Sequence, residues 1–160
     1  TYHSGVNQID SSHLRSAIAI AARARSNGNH PFGALLVAAD GTVVAEAENT
    51  VVTDSDPTGH AETNLVRKAG RLLDPAGLPK TTLYSSCEPC AMCTAAIFWA
   101  GIGRIVYALS NDALIAMAPG GGPSLNIKCR EVIAAGAKDI MVDGPALESE
   151  AAVPHEGFWS

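Results

Sequence analysis

No apolar run in this 160-residue chain approaches the ~20 residues needed to cross a bilayer, so no membrane partner is expected. The opening residues, TYHSGVNQIDSSHLRS, are polar and lack a signal-peptide pattern, which makes the cytoplasm the expected compartment. Charge is scarce, at 17% of residues, and no basic run occurs. The eleven Lys and Arg are scattered and the net charge is −5; beyond Arg104, only Lys128, Arg130 and Lys138 stand against seven acidic residues. Proteins that live on nucleic acid draw much of their affinity from a basic patch, so a nucleic-acid partner is disfavoured. Cysteine is limited to four residues, three of them within seven positions: Cys87, Cys90 and Cys93. In a reducing compartment that clustering favours metal or redox chemistry over disulfide staples. The length fits one domain, residues 1–160, burying roughly two-thirds of its unfolded surface.

The order of elements is alternating. Residues 10–26 have the spacing of a helix, with Leu14, Ile18 and Ala21/Ala22 on one face and Asp10 to Ser12 as candidate caps. FGALLVAADGTVVAEAEN predicts a hairpin turning at Asp40-Gly41. TVVTDSDPTG is a loop, and a helix follows from His60 to Gly70, closed by that glycine. Then come a strand in TTLYSS, a helix from Cys90 to Ala100 closed by Gly101, and a strand in RIVYAL. SNDALIAMAPGGGPS is expected to be irregular, its glycines mobile or closely packed. A helix over 125–135, a strand in DIMVD and a short helix over 146–151 complete the chain. This order implies a sheet covered by helices on both faces, its first hairpin antiparallel and its later strands parallel.

The chemistry gathers in two places. GHAETN supplies His60 and Glu62 at a helix start; PCAMC supplies Cys90 and Cys93, which at i and i+3 share one face of the next helix. One imidazole and two thiolates suit zinc, and a helix N-terminus favours the thiolates' negative charge. Three protein ligands leave a fourth position for water, whose pKa zinc lowers to about 7. Glu62 is then placed to carry protons between that water and a leaving group. Other readings of the cysteines are a thioredoxin-like pair, an iron–sulfur corner, and a structural zinc with Cys87 as fourth ligand. The first leaves His60 and Glu62 unexplained, and the second lacks a fourth cysteine in register. Cys87 is taken as a non-ligand and Cys129 as a buried small hydrophobe. His3, His13, His30 and His155 are isolated and read as surface or satisfied side chains.

His-x-Glu followed by Pro-Cys-x-x-Cys is the signature of zinc nucleobase deaminases. Through PFGALLV, Asn49, DPTGHAE and LYSSCEPCAMCTAAIFWAGIGRIVYA, the chain resembles the cytidine deaminase-like superfamily. It falls in the branch holding guanine deaminases, fungal-type cytosine deaminases and bacterial tRNA adenosine deaminases. The resemblance implies a three-layer α/β/α sandwich with a five-stranded mixed sheet, a homodimer, and one Zn2+ per chain held by His60, Cys90 and Cys93, with Glu62 as proton shuttle. It places Asn49 against the base, Phe32 and Trp99 at aromatic wall positions, and Ala61 where a backbone amide meets substrate. Core packing is the alternative for the two aromatics, and a strand-end turn role for Asn49.

The implied reaction is hydrolytic deamination of a small-molecule nucleobase. Guanine deaminases of this branch carry a second carboxylate after the fourth strand, where this chain has IAMAPGGGPS; Asp112 is the nearest acid and is out of register. The tRNA enzymes carry a basic C-terminal region, which is acidic here. Fungal-type cytosine deaminases close the pocket with an aromatic, acidic tail. The tail here offers Glu156, Phe158 and Trp159, the two rings expected to be docked as a lid or as plain packing. A free amino-heterocycle such as cytosine, 5-azacytosine or isoguanine is the expected substrate. Guanine deamination, tRNA adenosine deamination and a non-catalytic zinc module are the alternatives.

Overall fold

A computed structural model describes residues 5–120 and 124–160. Both His3 and the Gly121-Gly122-Pro123 part of the glycine run lie outside the described residues. The elements run α1 (Gln8–Ser26), β1 (Gly33–Val37), β2 (Val43–Glu48), α2 (Ala61–Leu72), β3 (Thr82–Cys87), α3 (Ala91–Ala100), β4 (Arg104–Leu109), α4 (Asn111–Met117), α5 (Cys129–Ala134), β5 (Met141–Asp143) and α6 (Glu148–Ala152). Single 3-10 turns occur at Leu78–Lys80 and Val153–His155.

The five strands form one mixed sheet in the order β2-β1-β3-β4-β5. β1 is antiparallel to β2 and to β3, whereas β3, β4 and β5 are parallel. Alternation along each strand divides the core. Leu36, Leu83 and Ile105 face α2, α3 and α5, where Leu65, Ile97 and Ile133 meet them. Leu35, Tyr84 and Val106 face α1 and α6, against Leu14, Ile20 and Ala151. Helices therefore cover both faces, which is the three-layer α/β/α arrangement. Gly33 lets α1 lie close on β1: a Cβ there would stand 2.6 Å from Ala17 O and Ala21 N.

Several expected boundaries move. The cap of α1 is Asn7 rather than Asp10 to Ser12. Its side chain accepts from Asp10 N–H at 2.9 Å, while the Asp10 carboxylate accepts from Asn7 N–H at 3.0 Å, a reciprocal box. Asp10 has a second role, accepting from Tyr84 Oη at 2.6 Å and from Arg104 Nη1 at 2.9 Å, while Arg104 also pairs with Asp143 at 2.9 Å. This network joins α1, β3, β4 and β5 at one end of the sheet. α2 runs through Gly70 to Leu72, because Gly70 faces open space and Ala69 remains a core contact. α3 does end as expected, at Gly101 in the left-handed region with φ 82°.

SNDALIAM is a helix, not an irregular stretch. Ser110 caps it by accepting from Ala113 N–H at 3.1 Å. α5 starts four residues later than expected from 125–135, at Cys129: residues 124–128 have no regular secondary structure, and Lys128, the cap, has extended backbone. β5 is only the last three residues of DIMVD. Among the described residues, no helix is long and apolar enough to cross a membrane.

Candidate active site

Two helix starts on one face of the sheet bring the reactive residues together. His60 is the cap residue of α2 and Cys90 that of α3, both with extended backbone, and neither side chain caps its own helix. Their side chains are thereby free to turn toward each other. His60 Nδ1 lies 3.5 Å from Cys90 Sγ and 3.5 Å from Cys93 Sγ. Zinc bonds of about 2.05 Å to nitrogen and 2.3 Å to sulfur at tetrahedral angles set N and S about 3.6 Å apart. The three donors therefore fit one zinc ion by both chemistry and spacing, and all lie within 4.8 Å of one another. Cys87 does not belong to this group.

The surrounding groups fix the donors. Thr63 Oγ1 contacts Cys93 Sγ at 3.2 Å, and Thr94 Oγ1 donates to Pro89 O at 3.1 Å. Asn64 Nδ2 donates to Glu48 O at 3.0 Å and to Thr50 Oγ1 at 2.9 Å, tying the start of α2 to the end of β2. A hydrogen bond shared with Cys93 outweighs burial and, with His60 alongside, draws Cys90 down to about 4. The Cys93 thiol is pushed upward as the partner that keeps the proton, with burial acting in the same direction. Burial pushes Glu62 up to about 7, reinforced by the negative Cys90 and opposed by His60. Cys87 is raised well above an ordinary thiol by burial and the nearby Glu62 and Glu88 charges.

A cavity of about 390 Å³ opens onto these groups. His60, Glu62 and Cys90 line its floor; Phe32, Pro57, Met92, Leu114 and Leu125 supply apolar surface, and Asn49, Glu88, Asn111 and Ser124 polar surface. Asn49 is buried, and its Oδ1 accepts from Val51 N–H at 3.0 Å. That bond assigns the amide oxygen and leaves the amide hydrogens as what Asn49 can offer a ligand.

Of the residues singled out in the sequence, His60, Glu62, Cys90, Cys93, Asn49 and Phe32 come together, with Ala61 buried between His60 and Glu62. Trp99 does not: it is 78% exposed near the far end of α3 and lines a separate depression with Pro75 and Pro79. Six residues, about one and two-thirds helical turns, past Cys93, it faces away from the cavity. Asp112 points to solvent from α4 and pairs with Lys128 at 3.6 Å. Glu156 is exposed, and its backbone carbonyl accepts from Arg25 Nη1 at 2.6 Å. Phe158 packs against the Arg25 guanidinium and edge-on to His30. Trp159 donates from Nε1 to His155 Nδ1 at 3.1 Å and borders a depression shared with Asn111, Leu114 and Ser124.

Four residues in or near the site carried little sequence signal. His155 is 2% exposed, not a surface residue; it packs edge-on to Phe32 at 5.3 Å, and among the described residues its Nε2 has no hydrogen-bond partner. Burial and the neighbouring Arg25 charge depress it to about 4. Glu88 lies directly before the Pro-Cys-x-x-Cys run, the one hint available. Leu114 and Asn111 sit on α4, which was expected to be irregular.

An imidazole–dithiolate zinc site with a buried carboxylate beside it, at two helix starts over a mixed sheet, defines a zinc-dependent hydrolytic deaminase. The chain belongs to the family described as "Cytidine and deoxycytidylate deaminase zinc-binding region", whose profile matches residues 7–109. It is 43% identical over 159 residues to a "Probable cytosine deaminase" of Schizosaccharomyces pombe, covering 96% of this chain and 94% of that protein. It is 44% identical over 99 residues to a "Guanine deaminase" of Bacillus subtilis, covering 61% of this chain and 63% of that protein. The crystal structure of a guanine deaminase from Nitrosomonas europaea superposes with a TM-score of 0.77 at 23% identity, over 98% of this chain and 95% of that one, which establishes the shared fold.

Proposed function

We propose that this deaminase acts on a free 2-oxo-4-aminopyrimidine, cytosine or a ring analogue such as 5-azacytosine. The observation that carries the reading is the orientation of Asn49. With Oδ1 held by Val51 N–H, Asn49 presents donors to the cavity, and a donor recognises the 2-oxo group of cytosine. Guanine also carries an oxo acceptor, but the ring nitrogen between its oxo and amino carbons is an N–H donor that needs an acceptor, where cytosine's N3 does not. Among the described residues, the carboxylates lining the cavity are Glu62 and Glu88, and both Glu88 oxygens already accept backbone N–H groups. The near full-length similarity to a probable cytosine deaminase supports the same class.

His60, Cys90 and Cys93 would hold the zinc, which when bound supplies an acidified water as nucleophile. Asn49 fixes the base through its oxo group, while Phe32 and Leu114 provide apolar walls for a flat ring. Glu62, buried beside the metal ligands, takes one proton from the attacking water and gives it to the ring nitrogen beside the reacting carbon, then takes the second proton of that water and gives it to the departing amine. Loss of ammonia leaves the oxo base.

The test is kcat/KM for cytosine, 5-azacytosine, isoguanine, guanine and adenine, on wild type and Asn49→Asp. Cytosine is expected to lead the panel, and replacing the donor by an acceptor should cost it at least a hundredfold. Faster turnover of guanine than cytosine would refute the assignment.

A further inference from the structure

We infer that Glu88 is a positioning residue: its single carboxylate ties the zinc-ligand loop to the wall of the substrate cavity. This rests on the deaminase reading of the site. Glu88 stands two residues before Cys90, and its N–H donates to Leu109 O at 2.7 Å, fixing it across from the end of β4. Its Oε1 accepts from Asn111 N–H at 3.0 Å and its Oε2 from Cys129 N–H at 2.8 Å. Asn111 and Cys129 are the first residues of α4 and α5. One side chain therefore caps two helices that follow each other in the chain, and spans both ends of the region that includes Ser124 and Leu125.

These helices need such an anchor. α4 has seven residues and α5 six, too short to persist alone in water. α4 has no fully buried residue; Ala113, Leu114 and Met117 pack on the core only partly buried, so backbone anchoring adds to a thin apolar contact. Yet Asn111 and Leu114 of α4, and Ser124 and Leu125 before α5, form one side of the cavity facing the zinc ligands. A carboxylate accepting from two backbone N–H groups makes charge-assisted bonds, stronger than neutral ones. With one backbone N–H bound to each oxygen, the carboxylate is held as a tie, and its role is to set the distance between wall and metal loop. A charged Asp at this position would reach less far, and a Gln would present an amide hydrogen pair to one of the two N–H groups.

The test compares wild type, Glu88→Gln and Glu88→Asp as zinc-loaded full-length proteins, using whichever free base the wild type turns over. In Glu88→Gln, KM is expected to rise about tenfold, the scale of one lost charge-assisted bond, with kcat within twofold and one zinc per chain retained. Hydrogen exchange at the amides of residues 111–114 and 129–132 should accelerate together, a readout independent of any substrate. Glu88→Asp should show the same coupled change to a smaller degree in KM. If wild type turns over no free base, the substrate reading fails, and the exchange result alone decides the Glu88 role. Unchanged KM with only a lower Tm, or acceleration confined to one of the two helices, would overturn the inference.

Discussion

Acidification should undock the C-terminal tail, and His155 sets the pH at which it does so. His155 is almost fully buried; its Nδ1 accepts from the Trp159 indole N–H, so a neutral ring is required. In the docked tail its pKa is about 4, against about 6.5 for an exposed histidine. The undocked tail therefore binds a proton more readily. Docking is at full strength above about pH 6.5, weakens as pH falls, and stops weakening below about 4. Between pH 7 and 5 the loss is about 2 kcal/mol, a roughly thirtyfold shift in the docking equilibrium. The full loss below pH 4 is about 3 kcal/mol. Around His155, the groups that bear on the tail are Arg25 of α1, His30 of the loop before β1, and Glu156. Trp159 fluorescence in a Trp99→Phe background reports the transition, since Trp99 is the other indole and lies in solvent. A red shift developing between pH 6.5 and 4, and absent from His155→Phe, is the expected result. A spectrum unchanged over that range, or an identical transition in His155→Phe, would refute the reasoning.

Other outcomes follow from the same structure. Asp10 is opposed by burial but held at about 2 by hydrogen bonds from Arg104, Tyr84 and Asn7. Asp10→Asn should therefore cost about 2 kcal/mol near neutrality, or about 4–8 °C in Tm, and the difference should shrink as pH falls from about 4 toward 2. Cys90→Ser should lose zinc, read by metal analysis of the purified protein, and activity with it. Trp99→Ala should leave KM and kcat for the base within twofold, because the ring is outside its own chain's cavity.

How much was legible in the sequence depended on whether the determining contacts were local. The hairpin at Asp40-Gly41, the α3 stop at Gly101 and the strand pattern of RIVYAL are set within a few residues, and their places agree with the sequence reading. His60, Cys90 and Cys93 were readable because metal ligation demands particular residue types at particular spacings. α4 was hidden because its cap, Ser110, is followed within ten residues by a glycine run that dominates the local signal. Gly70 misled for the opposite reason: with nothing near it, its cost to α2 is small beside the burial of Leu65 and Ala69. Glu88 acts through partners 23 and 41 positions away, and His155 is buried against the Phe32 ring of another part of the chain; no local window contains those contacts. Trp99 shows the limit of matching aromatic positions, since exposure is decided by which face of α3 packs on the sheet.

The most direct test of the account is ammonia release from cytosine by the zinc-loaded protein, with Glu62→Ala at matched zinc content as its blank. Turnover by wild type, reduced at least a thousandfold in Glu62→Ala while zinc stays bound, is the predicted result. Equal ammonia release from both proteins, or none from wild type with a full complement of zinc, would contradict the central claim.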